Sequence, residues 1–338
     1  MGSEMCIRDR FYLASMGLSC DSRCCCLWGR CLDCPCRVMS PVFGIHRVQM
    51  PVSDGCKYSD WEVLIMDFVV LLKQVPKPKE MRVTAEGTLD RASAPSQINQ
   101  DCQHALEMAL SMKDTYGGRV VVVSMGPPNF QMSHITAMER GVDETVLLSD
   151  RKLGGSDTWA TGYALSGTLK HIGYSSERND WVVMGGRQTT DGDTAHVPSQ
   201  VAENLGIPQV TLVETCEIVG DSAKVRRIVE GGSMDLSMPL PCMLSIAPTA
   251  APLRGRNMKA AVAVKKHVTK DQRGKDTFKE GAPIFRLLSA DDVELEGAKI
   301  GLAGSPTIVA AAPKVEKASR DLQVTDTNGL VGIVEGWQ

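Results

Sequence analysis

Trp181-Val-Val-Met-Gly185-Gly-Arg-Gln-Thr-Thr-Asp191-Gly-Asp193-Thr-Ala-His-Val-Pro-Ser-Gln200-Val-Ala-Glu-Asn-Leu-Gly-Ile-Pro208 is the stretch that decides the fold. The apolar run Trp181 to Met184 predicts a buried strand. A polar loop of small residues follows from Gly185. Beyond it, Val197, Val201, Ala202 and Leu205 are spaced for one face of a helix. A loop between a strand end and a helix start is where α/β sheets bind nucleotides. Free backbone N–H groups and the positive end of the helix dipole meet a phosphate there. Thr194 or Asp193 can cap the helix, and Pro198 is tolerated in its first turn.

The pattern repeats on both sides of this stretch. Phe68 to Leu72, Val120 to Ser124 and Thr145 to Leu148 predict strands. Asn99 to Tyr116, Phe130 to Arg140 and Asp157 to Ile172 predict helices, closed by Gly117-Gly118, Gly141 and Gly173. Glu80 to Ser96 is polar and predicts a small hairpin or loop. Alternation of this kind implies a mostly parallel sheet with right-handed crossovers, flanked by helices. Past Pro208 the pattern changes. Val210 to Val213, Lys224 to Val229 and Leu236 to Ile246 are strand-like, with turn signals at Gly220-Asp221 and Gly231-Gly232, and predict an antiparallel addition. From Ala247 the chain is Pro- and Lys-rich with little periodicity, the composition of a long C-terminal arm that needs a partner.

Composition bounds the function. Charged residues make up 23% of the 338 and the formal net charge is −3, which argues against a general nucleic-acid binder. No apolar run can span a bilayer. Nine of the twelve cysteines precede Met66, so the rest has the cysteine usage of a reduced, intracellular protein. Cys31-Leu-Asp-Cys34 has metal-site spacing but no matched second pair, so no metal is expected. Residues 1–65 resemble translated adapter text around Met5-Cys-Ile-Arg-Asp-Arg10. They are taken as a non-native, disordered, Cys-rich extension before a nucleotide-binding domain at 66–250 and an arm at 251–338. No nucleophile elbow, Walker A loop or metalloprotease helix is present.

Several segments also carry a resemblance. Gly186-Arg-Gln-Thr-Thr-Asp-Gly-Asp-Thr-Ala195 resembles the nucleotide-binding loop of the beta (small) subunit of electron transfer flavoproteins. Leu71-Leu-Lys-Gln-Val-Pro76, Ile98-Asn-Gln-Asp101, Val123 to Pro128, Leu147 to Arg151 with Gly155-Ser-Asp-Thr158, and Gly304-Ser-Pro-Thr307 agree in order. The resemblance runs from about Met66 to near the C-terminus. It implies an adenine-nucleotide alpha-hydrolase-like fold. It also implies an electron-carrier subunit, rather than a catalyst on its own, in a cytoplasmic, prokaryotic setting.

The implied cofactors are FAD, shared with or mainly in the large subunit, and AMP or a second FAD in this one. The loop at Ser149 to Thr158 is of the form found in electron-bifurcating and nitrogen-fixation-associated members, which carry the second flavin. The implied partners are the alpha (large) subunit and dehydrogenases or a quinone oxidoreductase. The resemblance places the cofactor against Leu71, Asn99, Gln100, Asp101, Cys102, Met125, Arg187 and the run Asp191, Gly192, Asp193, Thr194, Ala195, His196, Val197, Pro198, Ser199, Gln200, Val201 and Ala202. Asn99 and Asp101 can equally cap the following helix. Leu253, Arg254 and Met258 fall in the loop that docks partner oxidoreductases, with Leu253 as apolar anchor. There Ala247 to Gly255 replaces the Asn-Glu-Pro-Arg-Tyr run frequent in the family. The competing expectation is a nucleotide-binding stress or signalling module on a related α/β core, which needs the sheet and loop but not the arm.

Overall fold

A computed structural model of the chain describes residues 45–51, 58–64, 66–77, 82–83, 89–90, 96–272 and 274–307. The cysteine-rich run around Cys31 to Cys34 and the end of the arm past Thr307 lie outside the described residues. Ile45–Pro51 and Tyr58–Leu64 form an antiparallel pair of their own and do not join the main sheet.

Five strands open the main sheet: β1 (Asp67–Leu71), β2 (Arg119–Met125), β3 (Glu144–Leu148), β4 (Trp181–Gly186) and β5 (Gln209–Val219). β6 (Ser222–Val229), β7 (Gly232–Pro239), β8 (Cys242–Ile246) and β9 (Phe285–Leu288) complete it. The spatial order is β7-β6-β5-β8-β4-β1-β2-β3-β9. From β5 to β9 all neighbours are parallel, and only β5–β6 and β6–β7 are antiparallel. The mostly parallel sheet with an antiparallel addition is as expected.

Alternate residues of each central strand face opposite helical layers, because side chains on a strand alternate with a period of two. Phe68, Val70, Val120, Val122, Val182 and Met184 face α1 (Gln100–Tyr116) and α2 (Gln131–Met138). Val69, Val121, Val123 and Val183 face α3 (Thr158–His171) and α4 (Val197–Leu205). Covering both faces explains why the strands read as continuous apolar runs. Each fully buried side chain of this size contributes about 1.5–3 kcal/mol. At the N-terminal edge the buried Asp67 carboxylate accepts from Arg119 at 2.8 and 3.0 Å, Tyr174 Oη at 3.0 Å and Arg178 at 3.3 Å. That network ties β1, β2 and the segment before β4 at the edge opposite the loop.

Two expectations change. Leu236 to Ile246 is not one strand but two. Pro241 has no N–H to continue a ladder. β7 stays exposed at the sheet edge, while the fully buried β8 inserts between β4 and β5. The aperiodic arm also contains structure. Asn257 caps α5 (Met258–Lys265), its Oδ1 accepting the Ala260 N–H at 3.1 Å. A small antiparallel pair, Val268–Lys270 with Asp276–Phe278, follows. β9 then joins the main sheet beside β3, Phe285 opposite Thr145 and Leu288 opposite Leu148. A four-residue strand is too short to show a period. Within the polar stretch after β1, Gln74–Pro76 pairs antiparallel with Ser96–Ile98 and Arg82–Val83 with Leu89–Asp90.

Candidate functional site

Gly185 lies opposite Leu71, and Leu71 opposite Val123, so β4, β1 and β2 end level with one another. Their ends carry Leu71, Met125 and Gly186, together with the first turn of α1. At this edge of a parallel sheet ligands bind. A Cβ on Gly186 would lie 2.6 Å from the Asp101 carbonyl carbon and the Cys102 nitrogen. The glycine is what lets the end of β4 touch the start of α1.

The loop after β4 is held from below by α1. Asn99 is fully buried and makes no side-chain cap to its own helix. Its Nδ2 instead donates to the Gln188 carbonyl at 2.8 Å, and its Oδ1 accepts the Thr190 N–H at 3.1 Å. Asp101 accepts from Arg187 Nε at 3.2 Å and from the Gln188 N–H at 3.3 Å. Both residues therefore position the loop rather than cap the helix. Cys102 is buried beside them, and burial pushes its thiol pKa up, so it stays neutral. Gln100 is exposed.

Higher in the loop the backbone turns tightly. The Asp193 N–H reaches the Thr189 carbonyl at 2.8 Å, and Asp193 and Ala195 sit at φ of 52° and 58°. Left-handed conformations at non-glycine residues cost energy and cluster at ligand clamps. Asp191, Gly192, Asp193, Thr194, Ala195 and His196 are all exposed. Thr194 and Asp193 do not cap α4. The N-cap is His196, without a side-chain bond, and Pro198 lies in the first turn. The leading N–H groups of Val197 and Ser199 keep the helix-end character that favours anions. Gln200 Nε2 donates to Thr158 Oγ1 at 3.2 Å, which links α4 to α3. Val201 and Ala202 are wholly buried against the sheet and reach a ligand at most through their backbone.

One residue of the site went unread in the sequence. Lys73 lies two residues past the end of β1, and its Nζ is 3.0 Å from Asp191 Oδ2. Burial works against the Asp191 charge, but Lys73, together with hydrogen bonds from Thr189 and the loop backbone, holds the carboxyl below its usual range. The available signal was a lone cation straight after the first buried strand.

The loop after β3 resolves into caps. Asp150 accepts the Lys152 N–H at 2.9 Å and the Ala290 N–H at 3.2 Å. Asp157 caps α3 through the Ala160 N–H at 3.0 Å, and its other oxygen accepts from Thr307 N–H and Oγ1 at 3.0 and 2.7 Å. The Gly304 to Thr307 segment is thereby fastened to the start of α3.

The three candidate docking residues differ. Leu253 is half-buried and packs on the core cluster. Arg254 is bonded to the buried Glu107 carboxylate at 2.8 to 3.0 Å and to Asp114 at 2.6 Å, and its carbonyl accepts from Arg140 Nε at 3.2 Å. It fastens the loop to α1 instead of standing free. Met258 is 72% exposed, and Val262, one turn on, is 59% exposed.

Among the described residues no helix is long and apolar enough to cross a membrane. The family model of the electron transfer flavoprotein domain matches residues 86–271. The electron transfer flavoprotein subunit beta of Clostridium acetobutylicum is 39% identical over 255 residues, 75% of this chain and 88% of that protein. Protein FixA of Azorhizobium caulinodans is 37% identical over 263 residues, 75% of this chain and 88% of its own. The caffeyl-CoA reductase-Etf complex subunit CarD of Acetobacterium woodii is 41% identical over 182 residues, covering 53% and 68%. With an α/β sheet, a loop braced at its strand ends and matches over most of its length, the chain belongs to the electron transfer flavoprotein family, among its beta subunits.

Proposed function

We propose that this protein is the small subunit of a heterodimeric electron transfer flavoprotein and holds an adenine nucleotide, AMP or a second FAD, at the strand-end crevice. The observation that carries it is the Asn99–Asp101 brace. Two polar side chains on the first turn of α1 spend their hydrogen bonds on the loop backbone instead of capping their helix. Such a preformed loop, with a glycine-dependent contact beneath it and a helix N-terminus beyond it, suits a phosphate-bearing ligand. Redox chemistry is supplied by flavin when bound. This chain's residues orient the nucleotide and shape the interface with the large subunit.

Electrons pass between dehydrogenases and a downstream acceptor, with flavin-based bifurcation where a second FAD is held. The relative named as a subunit of a caffeyl-CoA reductase-Etf complex supports an assembly with a partner oxidoreductase. The exposed Met258 and Val262 on α5 support docking of partner oxidoreductases there. A cytoplasmic location belongs to the same proposal.

The test is co-expression with the large subunit, followed by counting nucleotides released per heterodimer. The expected result is one flavin from the large subunit plus either one AMP or one further flavin. A heterodimer that releases nothing beyond the large subunit's flavin refutes nucleotide binding here. A nucleotide-binding protein that never pairs with a large subunit points instead to a signalling module.

A further inference from the structure

We propose that Lys73 binds phosphate in the strand-edge crevice, and that Asp191 occupies its ammonium group until an anionic nucleotide takes that place. The assignment rests on the nucleotide-binding function proposed above and names the cation that recognises the charge.

The stem of Lys73 is fixed. Its carbonyl accepts the Asn99 N–H at 2.9 Å, and the antiparallel pair Gln74–Pro76 with Ser96–Ile98 begins at the next residue. The backbone of Lys73 thus stands beside the first turn of α1 at the level where β1 ends. Its head group is less enclosed. The side chain is 43% exposed and its Nζ lies 3.0 Å from Asp191 Oδ2, a carboxylate that Thr189 also hydrogen-bonds.

The two cation–carboxylate pairs of the crevice differ in construction. Arg187 pairs with Asp101, whose side chain is 13% exposed and also holds the Gln188 N–H, so that carboxylate is part of the brace. Asp191 is 36% exposed and stands at the tip of the loop, two residues before the left-handed Asp193. A half-exposed ion pair of this kind stabilises by no more than about fivefold in an equilibrium constant. The phosphate groups of AMP and of FAD carry about two negative charges and several acceptor oxygens against the one charge of the carboxylate. The exchange therefore favours the phosphate. It also removes the problem that Asp191 poses beside an anion, because the carboxylate is released to solvent as the phosphate binds. AMP and the diphosphate of FAD offer the same chemistry to Lys73.

A plain brace and an exchange predict opposite signs. The experiment is calorimetric titration of nucleotide-stripped full-length protein with AMP, with FAD and with adenosine, which lacks phosphate. Lys73→Met should weaken AMP or FAD about tenfold and leave adenosine unchanged. Asp191→Asn should tighten the phosphate-bearing ligand by about threefold, because the competing carboxylate is gone. Lys73→Arg should retain most of the affinity. If Asp191→Asn weakens binding as Lys73→Met does, the pair is a brace and the proposal is overturned. Equal loss of AMP and adenosine in Lys73→Met overturns it as well. Should Lys73→Met fail to fold, the sign of the Asp191→Asn shift decides alone. An unsubstituted protein that binds neither AMP nor FAD refutes the nucleotide-binding function itself, and this proposal with it.

Discussion

Replacing Asn99 by alanine removes the contact on which the shape of the loop depends. Two hydrogen bonds to the loop are lost, from Nδ2 to the Gln188 carbonyl at 2.8 Å and from the Thr190 N–H to Oδ1 at 3.1 Å, with a weak contact from Nδ2 to Cys102 Sγ at 3.6 Å. Each bond of this type contributes about 0.5–1.5 kcal/mol net. Thr190 is exposed, so its freed N–H returns to water at little cost. Gln188 is half-buried and its carbonyl is only partly resolvated. Asn99 itself is fully buried, so the shorter side chain leaves a small void under the loop. Together these terms come to about 2–3 kcal/mol. For a domain of this size that is a fall of roughly 4–10 °C in melting temperature. The cost to nucleotide binding should be larger than the cost to the sheet, because the loop must then be ordered by the ligand. Thermal denaturation, with nucleotide retention measured through gel filtration, reads both effects. Asn99→Asp is the informative companion. It keeps an acceptor for Thr190, loses the donor to Gln188 and buries a charge. An Asn99→Ala protein that melts as the unsubstituted one and keeps its nucleotide would show that the loop is held by something else.

Gly186→Ala should lose nucleotide and about 1–3 kcal/mol of stability, since the new Cβ meets the Asp101–Cys102 backbone at 2.6 Å and that backbone cannot swing aside; unchanged denaturation would contradict the contact. His134 is wholly buried with both ring nitrogens unpartnered, and burial lowers its pKa from 6.5 to about 3. Its neutral form is the folded one, so stability is full above 6.5 and falls as pH drops from there toward 3, by up to about 1.4 kcal/mol per pH unit. His134→Leu should flatten that acid limb in urea unfolding measured at several pH values, and an unaltered slope would assign the limb to other groups. Leu253→Ala should cost about 1–2 kcal/mol because the side chain packs on the core. Met258→Ala should leave stability unchanged and slow electron transfer to a partner dehydrogenase; equal stopped-flow rates in the two proteins would place the docking surface away from α5.

The sequence by itself determined the layered fold and the position of the loop. Both follow from local physics. Val120 to Val123 and Trp181 to Met184 are apolar on both faces because helices cover both sides of their sheet. The helices carry their apolar residues at helical spacing. The glycines that end them permit left-handed backbone, as at Gly206 with φ of 69°. The polar loop after Gly186 was visible as a strand-to-helix junction for the same reason.

What only the tertiary structure decided are choices among long-range partners. Asn99 and Asp101 had a local use as helix caps, and 89 residues along the chain a better partner for Asn99 appeared in Gln188. No window of sequence contains that comparison. Arg254 reads in the sequence as a docking residue, and Glu107, 147 residues earlier, is brought beneath it by the fold. Lys73 gained meaning only when β1 and β4 were set side by side and Asp191 came within 3.0 Å. β9 is too short to announce itself and forms because β3 offers an open edge. Apolar periodicity is written into neighbouring residues, whereas a polar side chain takes the partner that folding brings within reach.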